Sequence, residues 1–344
     1  MAEEKKIEEK WGYAASGGGA KGAWGGGVSD YLTNVEGRDY DLLAGTSTGC
    51  LLMNLVALHK MDLLKQAYTT VDNDDIYTLA PYTIKNNQNG NFKTKMNYLK
   101  IGWNIFVKKQ HTFGDSSKLR DELIPKFFTE ADYNKVIENN KELIACVTNL
   151  TLGKTEHKSN LDEGMTYEDF LDWVWASTGA APIMSIVEKD NMEYADGGYI
   201  EHVPLQELIN KGCTHIDVIL HSAPELDIEK IRNPLHLVTR LMDIMMWENA
   251  KQDMAFAKLK AKDNDVILNV YKPPRKLTNN SLVFDQETME NWWAEGYEYA
   301  KEQRCDTWVI SKRKKPRKIE ENHMDLKEGL EVAQKVRDKK NEQS

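Results

Sequence analysis

The chain has 344 residues, 41% of them hydrophobic, with a formal net charge of −9 and a pI near 5.5. That length and apolar content allow one large domain or two small ones, and the acidic balance argues against nucleic-acid binding over the whole surface. Four dispersed cysteines (Cys50, Cys146, Cys213, Cys305) form no CxxC and no metal-ligand spacing, which points to reduced thiols in a cytoplasmic setting, and no run of about 18 apolar residues is present to span a membrane.

Residues 1–10 are polar and start Met1-Ala2-Glu3-Glu4-Lys5-Lys6, a charged opening without the apolar core of a signal peptide. Residues 11–16 read as a short buried strand. It runs into Gly17-Gly18-Gly19-Ala20-Lys21-Gly22 and a helical pattern to about Val35, weakened by Gly25-Gly26-Gly27. A second strand, residues 40–44, leads to Gly45-Thr46-Ser47-Thr48-Gly49 and the apolar helix that begins at Cys50. Strand, glycine loop, helix, strand, tight turn and helix open a parallel α/β sheet with crossover helices.

The tight turn fits G-x-S-x-G, the nucleophile elbow, with Ser47 at the tip of a strained strand-to-helix turn. The helix N-terminus behind it favours an oxyanion forming nearby. The glycine loop allows three readings. As G-x-G-x-x-G (Gly17, Gly19, Gly22) it resembles a dinucleotide cradle, but the acidic residue wanted at the end of the second strand is missing. As a Walker A loop it fails, because Ala23 follows Gly22. As an oxyanion hole it exposes successive amides beside the elbow, and this is the reading we adopt.

Residues 61–115 break the α/β rhythm. Tyr77, Tyr82, Phe92, Tyr98, Trp103, Phe106 and Phe113 lie among Lys93, Lys95, Lys100, Lys108 and Lys109. We read an insertion over the carboxyl edge of the sheet. The commoner use of such aromatic residues is a capping subdomain with its own small core; the alternative is an interfacial lid.

A helix from 116 to 128, a strand pair at 142–150 and 154–159, and a helix from 166 to 176 follow. That helix ends in Ser177-Thr178-Gly179-Ala180-Ala181-Pro182, where small residues suit packing beneath a site better than chemistry. A hairpin over 185–194 reaches Asp196-Gly197-Gly198. Next come a helix at 203–211, a buried strand at 215–221, and a long helix from 233 to about 260. The long helix has a stripe of Leu235, Val238, Leu241, Met242, Met245 and Met246 that reads as core. A strand at 265–271 and a helix at 286–304 complete the domain. Residues 311–344 carry 11 Lys or Arg against 7 Asp or Glu, a solvated tail that anionic lipid would also attract.

Ser47 needs a group to take its proton. None of the eight histidines has a marking context, although His202, six residues past Asp196, is the most plausible member of a triad. The alternative is a dyad in which a buried Asp196 serves directly. Spacing alone leaves both open.

Gly-Gly-Gly-Ala-Lys-Gly, then Gly-Thr-Ser-Thr-Gly, then Ala176-Ser177 before Pro182, then Asp-Gly-Gly, in that order, resembles the patatin-like phospholipases. The matching parts cover about residues 11–58 and 142–221. The resemblance implies a three-layer α/β/α fold with a mainly parallel central sheet. It implies Ser47 as nucleophile, Asp196 as its partner, the amides around Gly17, Gly18 and Gly19 as oxyanion hole, and Lys21 at the family's basic position. Gly22, Gly45, Gly49, Gly197 and Gly198 belong to the same motifs. Hydrolysis of glycerolipid acyl esters without metal or cofactor follows, on phospholipid or another acyl-ester lipid met at a membrane surface, with no nucleic-acid partner. We therefore expect a polar segment at 1–10, an acyl hydrolase domain at 11–310 and a charged tail at 311–344, in a cytoplasmic protein that touches membranes peripherally. A soluble carboxylesterase or thioesterase is the nearest alternative, and a nucleotide-binding module the more remote one.

Overall fold

Alternation along the central strands sets the layers. Tyr13, Ala15 and Leu43 belong to one buried cluster, whereas Ala14, Leu42 and Ala44 belong to another on the opposite face. Strands buried on both sides must be covered by helices on both sides, which is what a parallel sheet requires. The computed structural model describes residues 9–85, 92–223, 226, 228 and 230–310; the charged tail and most of the polar start lie outside the described residues.

In chain order the elements are β1 (Trp11–Ala15), α1 (Gly22–Asn34), β2 (Leu42–Thr46), α2 (Thr48–Val56), α3 (Met61–Thr69), α4 (Asn73–Ile76), β3 (Tyr82–Lys85), β4 (Lys93–Met96) and α5 (Tyr98–Gly102). Then follow α6 (Ile124–Phe127), α7 (Glu130–Glu138), β5 (Glu142–Asn149), β6 (Lys154–Ser159), α8 (Tyr167–Ser177), β7 (Val187–Lys189) and β8 (Met192–Asp196). The last are α9 (Leu205–Asn210), β9 (His215–Ile219), α10 (Pro234–Asn264), β10 (Val266–Tyr271), α11 (Gln286–Lys301) and β11 (Asp306–Ile310). The main sheet has the order β11-β10-β9-β1-β2-β5-β8-β7, with β6 also paired to β5. Strands β10, β9, β1, β2 and β5 are mutually parallel, and β11, β6, β8 and β7 join antiparallel.

The register places the site. Ala15 of β1 lies opposite Gly45 of β2, so the glycine loop and the elbow leave the same edge side by side. Thr46 lies opposite Cys146 of β5, and Val147 lies opposite Asp196 of β8. The ends of β2 and β8 therefore meet at adjacent positions along one strand, although 149 positions separate Ser47 from Asp196 in sequence.

The glycines at 25–27 do not interrupt α1, which runs unbroken from Gly22 to Asn34. A Cβ on Gly26 would lie 2.2 Å from the Trp293 ring, and one on Gly27 would lie 2.0 Å from the Trp293 carbonyl oxygen. The small residues let α11 approach backbone to backbone. Their weak helix propensity, of order 1 kcal/mol each, is offset by that packing.

Two expectations need correction. The described residues of 61–115 do not enclose a core of their own: Met61, Leu64, Tyr68, Ile76, Tyr77, Tyr82 and Phe92 are part of the main cluster. Tyr98, Leu99, Trp103, Phe106 and Val107 instead face outward. The long-helix stripe is core only in part: Val238 and Met242 pack against the main cluster. Leu241 and Met245 are exposed, beside Leu237 and Ile244. Only further along, at Met254 and Ala257, does α10 enter the second cluster. The periodicity was that of an amphipathic helix, but its apolar face in the first half covers a cavity and its edge reaches solvent.

Candidate active site

Ser47 is forced into its place by the chain around it. Its backbone has φ 55° and ψ −124°, a region that costs a non-glycine residue of order 1–3 kcal/mol. A Cβ on Gly45 would lie 2.3 Å from the Gly49 carbonyl carbon, and one on Gly49 would lie 2.2 Å from the Ala15 carbonyl oxygen. Only glycines at these two positions allow so sharp a turn against β1. The Ser47 amide donates to the Ser177 hydroxyl at 2.9 Å, and that hydroxyl donates to the Cys146 carbonyl at 2.6 Å. In the sequence Ser177 reads as small-residue packing. Its hydroxyl instead braces the turn.

Asp196 ends β8 and is 1% exposed. Burial lifts its pKa from 3.8 to about 6, against the opposing pull of the nearby Ser47 hydroxyl and the Gly198 amide. The Gly198 amide donates to Oδ1 at 2.8 Å. Gly197 packs so closely on Cys146 that a Cβ would lie 2.3 Å from its carbonyl oxygen. A carboxylate so placed is a base of useful strength near neutral pH.

The glycine loop lies alongside. Among the described residues, the amides of Gly17, Gly18 and Gly19 have no hydrogen-bond partner within the protein. Gly18 and Gly19 line the same cavity as Ser47 and Asp196. Gly19 has φ 54° and presses on the Ser281 carbonyl, and Gly22 packs against Thr48 at the start of α2. Lys21 reaches into the cavity; burial lowers its pKa, Asp243 opposes that shift, and Lys276 adds to it.

The cavity has a volume of about 1270 Å³, its open mouth included, and is lined mainly by apolar side chains. Leu51 and Leu55 of α2, Leu64 of α3, and Leu119, Ile124 and Phe127 form its walls. Met242 and Met246 cover it from α10. α10 is anchored by Asp253, which accepts from the His202 and Val203 amides at 2.7 and 2.9 Å. Burial raises the pKa of Asp253 to about 7. No motif marked this residue in the sequence.

His202 sits between the glycine loop and the Asp196 turn, 2% exposed. Among the described residues neither of its ring nitrogens has a hydrogen-bond partner, and burial lowers its pKa to about 3. A triad histidine must bond both the nucleophile and its acid, and His202 bonds neither.

A mixed, mostly parallel sheet between helical layers, with a serine turn and a buried carboxylate at the carboxyl edge above an apolar cavity, defines a lipid acyl hydrolase of three-layer α/β/α build. The chain belongs to the patatin-like phospholipase family, whose sequence profile matches residues 14–209. Among solved structures it is similar to the crystal structure of VipD from Legionella pneumophila, with a TM-score of 0.41 and 13% identity over 88% of this chain and 68% of that chain. No curated protein matches the sequence. Among the described residues, no helix is long and apolar enough to cross a membrane.

Proposed function

We propose that the protein is a phospholipase A-type enzyme that cleaves acyl esters of glycerophospholipids through a Ser47–Asp196 dyad. The observation that carries this reading is that Ser47 and Asp196, a buried carboxylate of raised pKa, come from adjacent positions along β5 and line one apolar cavity. Ser47 Oγ attacks the ester carbonyl while Asp196 takes its proton. The amides of Gly17, Gly18 and Gly19 hold the tetrahedral oxyanion. Asp196 returns the proton to the departing lysophospholipid alkoxide, leaving an acyl-serine. A water then gives a proton to Asp196 and attacks the acyl carbon. Collapse releases the fatty acid as Ser47 regains its proton. The residues need no metal or cofactor for these steps.

A phosphate-bearing substrate is supported by cations next to the serine's cavity, of which Lys21 also lines that cavity. Lys21, Arg240 and Lys276 line a pocket that adjoins the main cavity, together with Asp243. A membrane-borne substrate is supported by the apolar edge of α10 above the cavity, in a cytoplasmic protein that meets the lipid surface only transiently. On this reading the catalytic domain is residues 11–310, and the tail at 311–344 adds attraction to anionic lipid. The test is lipid mass spectrometry of phospholipid vesicles incubated with the wild type and with Ser47→Ala. Free fatty acid and lysophospholipid should accumulate in equal amounts with the wild type only. Hydrolysis of short soluble esters without any vesicle turnover would favour a soluble carboxylesterase instead.

A further inference from the structure

Behind the Asp196 turn, on three separate chain segments, lie a thiol, an imidazole and a carboxylate that the proposed chemistry does not use. Cys146 of β5 and His157 of β6 are directly opposite in the antiparallel register. Glu201 follows the Asp196-Gly197-Gly198 turn, and its amide donates to the Gly197 carbonyl at 2.9 Å. One ligand atom from each of the three residues lies within 4.8 Å of the other two. His157 Nε2 is 2.9 Å from a Glu201 carboxylate oxygen. Cys146 is fully buried, and the His157 and Glu201 side chains are 27% and 15% exposed.

We propose that Cys146, His157 and Glu201 form a binding site for Zn²⁺ or a similar borderline-soft divalent ion, with water as the fourth ligand. Bond lengths of about 2.3 Å to sulfur and 2.0–2.2 Å to nitrogen and oxygen separate neighbouring ligand atoms of a tetrahedral site by roughly 3.3–3.7 Å. The three side chains need only small rotations to reach that spacing. A thiolate beside an imidazole selects zinc over magnesium or calcium, which prefer all-oxygen shells. The other ring nitrogen of His157 faces Glu207, 3.9 Å from Nδ1, in the place where a carboxylate orients a metal-binding histidine. Glu207 is itself held by Lys211 at 3.6 Å. A Cβ on Gly197 would lie 3.0 Å from the Cys146 sulfur, so the metal would bind directly beneath the segment that carries Asp196. It would tie β5, β6 and that segment together. The His157–Glu201 ion pair uses the same atoms, and the metal must displace that contact.

Cobalt(II) titration of the full chain, reduced and freed of metal by a chelator, tests the site. We expect one equivalent to bind, with a thiolate-to-cobalt band in the near ultraviolet and intense visible bands of tetrahedral cobalt, all removed by added Zn²⁺. Zn²⁺ should also raise the melting temperature of the wild type. Cys146→Ser should lose the near-ultraviolet band, and His157→Gln or Glu201→Gln should weaken binding at least tenfold. Cys50, Cys213 and Cys305 remain in every variant and serve as internal controls. Absence of the band in the wild type, or its survival in Cys146→Ser, overturns the proposal. If Cys146→Ser does not fold, His157→Gln on β6 decides, and unchanged affinity there is equally fatal.

Discussion

The backbone amide of Ser47 and the hydroxyl of Ser177 are joined at 2.9 Å, across 130 residues of chain. The same hydroxyl donates to the Cys146 carbonyl and accepts from the Cys50 thiol at 3.1 Å. One side chain thereby fixes the strained turn to the strand that also aligns Asp196. Ser177→Ala leaves the buried Ser47 amide without its acceptor, a loss of about 1–3 kcal/mol in stability. It also lets the turn relax. We expect kcat to fall about tenfold or more with KM little changed, and denaturant titration to show the stability loss. Unchanged kcat would remove Ser177 from the positioning of the nucleophile.

The raised pKa of Asp196 gives two coupled outcomes. The carboxylate acts as base only when ionised, so kcat/KM should rise with pH through an inflection near 6 and then level off. For stability the sign is opposite. Between 3.8 and about 6 the folded chain holds a proton that the unfolded chain has released, so stability falls as pH rises through this window. Asp196→Asn removes the cost of a buried charge. It should abolish turnover yet raise stability by on the order of 2–3 kcal/mol above pH 7, with the gain vanishing below pH 4. Calorimetric melting of both proteins across that range checks it.

His202 separates the dyad from a triad. Its ring fills the space between Gly17 and Gly198, and its nitrogens hydrogen-bond neither Ser47 nor Asp196. His202→Ala should cost at most about tenfold in kcat through loosened packing, and the inflection near pH 6 should persist. Loss of a triad base would cost about six orders of magnitude. A loss of that size, with the inflection gone, would make His202 the base.

The order of elements and the motif residues were legible because each rests on local chemistry. Gly45 and Gly49 punctuate a turn that no other residue permits, and alternation through 11–15 and 42–46 marks strands buried on both faces. What stayed hidden depends on tertiary partners. Gly25, Gly26 and Gly27 read as a weak point in a helix, and only their close packing explains them: Gly25 on His221, Gly26 and Gly27 on Trp293 of α11. Helical spacing in α10 could not reveal which of its faces met protein, because a cavity wall and a core share one pattern. Asp253 bonds two amides 50 and 51 residues away, and no local signal announces such a pairing. Residues 61–115 misled for the same reason. Their composition is that of a surface, yet Leu64, Tyr68 and Ile76 form part of the cavity wall.

The exposed edge of α10 carries the last prediction. Leu237, Leu241, Ile244 and Met245 are 44%, 57%, 39% and 38% exposed, on the helix whose Met242 and Met246 cover the cavity. Apolar side chains left in water on such a helix gain roughly 25 cal/mol per Å² on entering an acyl layer. Replacing all four by serine should cut hydrolysis of vesicle phospholipid about tenfold or more and leave hydrolysis of a soluble short-chain ester within about twofold, because none of the four lines the cavity. Parallel assays of the two substrates read the difference. An equal fall on both would assign these residues to the stability of α10, and full activity on vesicles would mean that the lipid surface is met elsewhere on the protein.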